Sequence, residues 1–182
     1  MMAARKPEAS SAELDALRLR FRDAMANLPA AVNILTTAGP AGRCGITASA
    51  VCSVSDDPPT LLFCINRNST TAAVFEQNRR VCINVLASDH QELALHFAGA
   101  TKLPMAERFE QAVWLPHDED LPVLEAAMVR LTGRVVHTSP VRSHIVMFVE
   151  VDDIAVRKDA DALVYFDRKF RPITRIADSA KV

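Results

Sequence analysis

The residues best suited to holding a ligand run from Gly45 to Ser55. Read with the period of two that a strand imposes, Ile46, Ala48, Ala50, Cys52 and Val54 are apolar, while Thr47, Ser49, Ser53 and Ser55 fall on the opposite face. One face is small and apolar, and the other is lined by hydroxyls. Small side chains let a flat ligand approach the backbone closely, and hydroxyls can donate to and accept from its polar edge. This is chemistry of binding and positioning, not of bond cleavage.

Other signatures of catalysis are missing. No H-E-x-x-H or G-x-S-x-G motif occurs, and the five histidines at 90, 96, 117, 137 and 144 lack metal-like spacing, so no metal site is expected. Glycines stand only at 39, 42, 45, 99 and 133, and none forms a G-x-G-x-x-G or Walker fingerprint. A nucleotide ligand would therefore be held without a Rossmann domain or a P-loop. Hydride transfer between bound cofactors tolerates such a sequence, because the cofactors carry the chemistry and the protein orients them.

The elements around this stretch read mainly as strands. Ser10 and Glu13 form a capping box, and Leu14, Leu17, Phe21, Met25 and Leu28 follow at helical spacing, which predicts an amphipathic helix ending near Pro29. Residues 31–37 are rich in β-branched side chains, and Gly39 to Gly42 form a turn, so the Gly45 stretch should return antiparallel as a hairpin partner. Pro58 and Pro59 end it. Thr60 to Ile65 reads as a strand covered on both faces. Asn66 to Ser69 then lead into a short helix that Asn68 or Ser69 can cap.

Arg80 to Leu86 is the next strand. Ser88 can start a helix that Gly99 ends, and residues 121–128 suggest one or two helical turns. Long β-rich runs at 129–138 and 145–156, and a short one at 162–166, complete the chain. Strands and helices do not alternate, which favours an antiparallel barrel with a few peripheral helices over a doubly wound sheet. Residues 1–9 and 177–182 read as tails around a single domain at 10–176.

Lys plus Arg number 21 against 22 Asp plus Glu, a net charge of −1, so neither nucleic acid nor an anionic membrane is an expected partner. No stretch is long enough without charges to span a bilayer, and no secretory signal opens the chain, so a cytoplasmic protein is expected. Cys44, Cys52, Cys64 and Cys82 form no C-x-x-C pair and read as buried free thiols in a reducing compartment.

Many collinear segments also carry a resemblance. Phe21 to Met25, Ala31 to Ile34, Gly45 to Val54, Pro58-Pro59, Cys64 to Asn66, Ser69, Cys82 to Leu86, His96 to Gly99, Glu107 to Phe109, Trp114 and Tyr165-Phe166 together resemble the flavin reductases of two-component monooxygenases. The likeness spans about residues 17–173, and within the family it is nearest to reductases that serve 4-hydroxyphenylacetate oxygenation.

The resemblance implies a homodimeric Greek-key split β-barrel, the FMN-binding split barrel. It implies FMN or FAD reduced by NADH or NADPH and released to a separate oxygenase component. A non-catalytic flavin-binding module, or a reductase for another aromatic or pyrimidine oxygenase, is the alternative on the same fold.

Carried over residue by residue, the resemblance places Thr47, Ala48, Ser49, Ala50 and Val51 along the isoalloxazine, although a tight barrel wall would also use such a strand. Asn66, Arg67, Asn68 and Ser69 fall at the phosphate or ribityl end, where positive charge and a helix N-terminus suit an anion, or Arg67 is a solvated loop cation. Asn33, Asn84, Val85 and Leu86 join the cofactor contacts; Asn84 could equally spend its amide on a cross-strand backbone group. Lys102 is a contact to the distal end of the cofactor or a surface lysine. Tyr165 and Arg168 close the site, with aromatic packing the other use for Tyr165.

His144 would face the nicotinamide, or would be a structural strand-end histidine. The family usually has Gly-Thr before this histidine, whereas this chain has Arg142-Ser143. A turn that needs positive φ would be strained by Arg142, so a differently shaped loop is expected.

Overall fold

The computed structural model describes residues 10–176. The tails expected at 1–9 and 177–182 lie outside the described residues. Helix α1 covers Ser11–Ala26 and starts with the expected capping box, in which Ser10 and Glu13 exchange hydrogen bonds. Strands β1 (Ala30–Ala31), β2 (Asn33–Thr37) and β3 (Cys44–Ala48) follow, and β2 and β3 form the expected hairpin. Next come β4 (Val51–Asp56), β5 (Pro59–Asn66), α2 (Thr70–Asn78) and β6 (Arg80–Val85). Ser69 caps α2 by accepting the Thr71 amide.

Two short helices, α3 (Gln91–Phe97) and α4 (Met105–Phe109), precede a two-stranded ribbon of β7 (Trp114–Pro116) and β8 (Pro122–Leu124). The long hairpin β9 (Val129–Val141) and β10 (His144–Val156) and the small hairpin β11 (Ala162–Phe166) and β12 (Lys169–Ile173) complete the fold.

Seven strands form one antiparallel sheet in the order β3-β2-β6-β9-β10-β5-β4. Strands β3 and β4 are thus at opposite edges, yet only Ser49 and Ala50 separate them in sequence. A flat sheet would set these edges roughly 29 Å apart at a strand spacing of about 4.8 Å, whereas the short link reaches no more than about 11 Å. The sheet must therefore curl until its edges nearly meet. The ladder stays open there, because β3 and β4 do not pair; instead the Ala50 carbonyl accepts the Cys64 amide of β5 at 3.1 Å.

Alternation along the strands fills the inside of this curl. Leu61, Phe63 and Ile65 of β5, Ile145, Met147 and Val149 of β10, and Val81 and Ile83 of β6 form one buried cluster. Phe75 of α2 enters it, edge-on to Phe63 with ring centroids 5.8 Å apart. Each such side chain contributes about 1.5–3 kcal/mol by leaving water. A second cluster on the other face of β2 joins Val32 and Ile34 to Leu93 and Phe97 of α3, Phe109 of α4 and Leu163 of β11. Strand β2 is consequently buried on both faces, and α3 is pressed against the β2–β3 edge. Gly45 permits that contact, since a Cβ there would stand 2.7 Å from the Phe97 ring.

Several expectations need correction. The eleven-residue strand is broken at Ser49-Ala50 because the chain turns a corner between the two sheet edges. Strand β5 alternates buried with half-buried positions instead of being covered on both faces. Residues 122–124 are strand, held by the Asn84 side chain and by Thr36 Oγ1, which donates to the Pro122 carbonyl at 2.6 Å. Ser88 opens a 3₁₀ turn ahead of α3. Helix α1 is amphipathic in sequence, yet none of its residues is buried, and Phe21 is 62% exposed. Cys44 and Cys82 are buried as expected, Cys64 is half-buried, and Cys52 is exposed.

Candidate active site

The corner between β3 and β4 is fixed from three directions. Asn33 is buried in β2 and donates from Nδ2 to the carbonyls of Ala31 and Ala48, both at 3.1 Å. Thr47 Oγ1 donates to the Ala94 carbonyl of α3 at 2.7 Å. The Cys64 amide holds Ala50 from the far side. Backbone geometry at Ala48 to Ala50 is thereby set by hydrogen bonds from within the fold.

An open cleft of about 660 Å³ lies against this corner, within the size range of small-molecule sites. Thr47, Ala48 and Ser49 form one wall and Gln91, Leu95 and Ala98 of the α3 region another. The turn between β11 and β12 closes the third side with Tyr165, Phe170, Arg168, Lys169 and Arg171. Tyr165 meets Phe170 edge-on at 5.4 Å. Among the described residues no carboxylate lines the cleft and three cations do, so it favours an elongated apolar ligand with an anionic end. A second cleft of about 530 Å³ shares Ser49, Tyr165 and Arg168 with the first and adds Ala50, Arg22 and Met25. Arg168 is the common wall, and it is held by Asp23 of α1. The Asp167 amide donates to the Ala26 carbonyl at 2.7 Å, a second tie between this turn and the end of α1.

On the other side of the corner, β5 and β10 end together. Asn66 pairs with His144, and the Arg67 amide donates to the Ser143 carbonyl at 3.0 Å. His144 is exposed, and its Nδ1 lies 3.0 Å from Ser143 Oγ. Asn66 spends its Oδ1 on the Asn68 amide at 2.9 Å, which shapes the loop into α2. Asn66, Arg67 and Asn68 are exposed, and Ser69 is half-buried at its cap position.

The sequence-derived candidates therefore separate into groups. Thr47, Ala48, Ser49, Tyr165 and Arg168 converge on the larger cleft, and Ala50 on the smaller. Val51 begins β4 and packs against the inner cluster. Asn66, Arg67 and His144 gather at the β5–β10 end.

Asn84 is withdrawn from the contacts. It is fully buried, its Nδ2 donates to the Ile34 carbonyl at 2.9 Å and its Oδ1 accepts the Leu124 amide at 2.7 Å. Leu86 is likewise fully buried in the second cluster, and Val85, half-buried, packs against the first. Asn33 acts on the corner from beneath. Lys102 is exposed with φ +59° and lines neither cleft.

Sequence reasoning missed Gln91, Leu95, Lys169, Phe170 and Arg171. A signal for the last three existed, because Asp167-Arg168 separates two short alternating runs and both residues have positive φ, as a two-residue hairpin turn requires. The thiols offer no competing chemistry at depth, since burial pushes Cys44 and Cys82 up to about 12 and also raises Cys64.

The fold is shared with known proteins. Residues 25–174 match the family described as "Flavin reductase like domain", and the chain belongs to that family. It is 51% identical over 158 residues to the 4-hydroxyphenylacetate 3-monooxygenase reductase component of Pseudomonas aeruginosa, covering 87% of this chain and 93% of that protein. It is 48% identical over 155 residues to an FMN reductase (NADH) of Cronobacter sakazakii, covering 85% and 92%. Among solved structures, a Haemophilus somnus protein assigned as a flavin reductase superposes with a TM-score of 0.81 at 37% identity, covering 85% of this chain and 98% of the other.

Proposed function

We propose that this protein is an NAD(P)H:flavin oxidoreductase that reduces FMN or FAD and supplies it to a separate oxygenase component, one acting on 4-hydroxyphenylacetate. The observation that carries this reading is the cleft against the Thr47 to Ala50 corner. Its wall is thin enough for a flat ring to reach backbone groups, and its far side carries Arg168, Lys169 and Arg171 for a phosphate. The corner is in turn anchored by buried residues, as a binding wall should be. A bound flavin would supply the hydride acceptor, the reduced nicotinamide the hydride and solvent the accompanying proton.

The protein's own part is binding and alignment. The Ser49 hydroxyl and the backbone of Ala48 to Ala50 hold the ring edge. Asn66, Asn68 and Ser69 of the loop before α2 hold the ribityl chain. His144 positions the nicotinamide. Aligning two reactants in this way can lower a barrier by about 7–11 kcal/mol. The test is to mix pure protein with free FMN or FAD and NADH. Many turnovers of nicotinamide oxidation per protein are expected, and a single stoichiometric reduction, or none, would replace this reading with a passive flavin holder.

The unit proposed is a single split barrel of Greek-key type at residues 10–176, working as a cytoplasmic homodimer. Strand β4 exposes Cys52, Ser53, Val54 and Ser55, and its register against β5 shifts by one residue between Ser53 and Ser55. The apolar residues of α1 are exposed as well. Exposed apolar surface of this kind is what an interface between copies covers. No helix among the described residues is long and apolar enough to cross a membrane. A mass in solution of twice 19.9 kDa is expected, and a monomer at micromolar concentration would contradict the dimer.

A further inference from the structure

The turn joining β9 to β10 keeps a side chain where the backbone resists one. Val141 and His144 are paired, which leaves Arg142 and Ser143 as a two-residue loop, and Arg142 has φ +53°. Positive φ at the first central residue of such a hairpin favours glycine, because a Cβ crowds the neighbouring backbone. The turn thus takes the positive φ that a side chain at residue 142 strains. Arginine occupies the left-handed position itself. Strain retained beside a functional residue points to a use for the side chain that causes it.

The surroundings say what that use is. Arg67 Nη1 donates to the Arg142 carbonyl at 3.5 Å, and the Arg67 amide donates to the Ser143 carbonyl, so the two arginines sit on loops tied together. Both side chains are exposed. Neither is in an ion pair among the described residues. No Asp or Glu occurs in residues 60–75 or 137–149, the segments that build this end of the sheet. The N-terminus of α2 opens from the same loop and adds partial positive charge. Guanidinium groups without a carboxylate to neutralise them form a fork suited to phosphate oxygens. The other cations, Arg168, Lys169 and Arg171, belong to the cleft on the far side of the corner. The reaction uses two phosphorylated substrates, and the chain offers two cationic groups.

We propose that Arg142, with Arg67 beside it, binds a phosphate of the reduced nicotinamide dinucleotide and so sets the affinity for that substrate. This rests on the assignment of His144 to the nicotinamide, since Arg142 stands two residues from it across the turn. The phosphate is either the pyrophosphate common to NADH and NADPH or the 2′-phosphate of NADPH alone.

Arg142→Gly separates these cases and also removes the strain, so the variant should fold with a melting temperature at or above that of the parent. Calorimetric titration with NAD⁺ and NADP⁺, with FMN present, should show about tenfold weaker binding, the loss of one charge-assisted contact. Equal losses for the two dinucleotides identify the pyrophosphate, and a loss confined to NADP⁺ identifies the 2′-phosphate. Arg142→Lys should recover part of the affinity. Unchanged affinity for both dinucleotides in folded Arg142→Gly overturns the proposal, as does weakening of FMN binding in their place. Failure of the parent protein to turn over NADH would instead overturn the reductase reading.

Discussion

His144→Ala is expected to lower kcat/KM for the reduced nicotinamide about 100-fold while leaving flavin affinity within about twofold, because misplacing one reactant costs on that order. The imidazole is exposed at the start of β10, with its Nδ1 3.0 Å from Ser143 Oγ, so removing it leaves neither a cavity nor an unpaired buried group. Its loss should thus appear in kinetics and not in stability. Separate titrations of rate against nicotinamide and against flavin distinguish the two substrates. Equal losses in both would show that His144 shapes the whole end of the sheet and does not serve the nicotinamide alone.

Ala50→Phe is the complementary case. Ala50 is exposed, belongs to neither large buried cluster, and lines the smaller cleft at the corner. A phenyl ring there fills space that the flavin should need, without overpacking the interior. Flavin binding should weaken by at least about 30-fold, roughly 2 kcal/mol, with a melting temperature within a few degrees of the parent. Fluorescence titration with FMN measures the first and thermal unfolding the second. An unchanged flavin Kd in the folded variant would remove the β3–β4 corner from the site.

How far such a site is legible in a sequence depends on what holds each residue in place. Apolar and β-rich runs marked β5, β6, β9 and β10, because inward residues such as Phe63, Ile83 and Met147 must be apolar in a curled sheet. The caps at Ser10 and Ser69 were legible because each satisfies local backbone donors. The break at Ser49-Ala50 was not, since uninterrupted alternation through Ile46, Ala48, Ala50 and Cys52 looks the same whether one strand continues or two edges meet. Only the non-local sheet order reveals the corner.

Asn84 teaches the same point from the other side. A buried amide in an apolar strand required partners, but whether those were a ligand or the backbone of residues 34 and 124 depended on contacts 40 and 50 residues away. The exposed face of α1 was equally invisible, because amphipathicity states which face is to be covered and not whether the same chain covers it. Resemblance to the flavin reductases supplied His144 and the role of the corner, and the clefts supplied the α3 and β12 residues that alternation alone had passed over.

A crystal structure of the protein with FMN and NAD⁺ bound decides most directly where the chemistry takes place. The flavin ring should lie against the backbone of Ala48 to Ala50, and the nicotinamide should lie between that ring and His144 within van der Waals contact, about 4 Å. A flavin bound elsewhere with the corner uncovered, or a nicotinamide out of reach of His144, would contradict the site described for this protein.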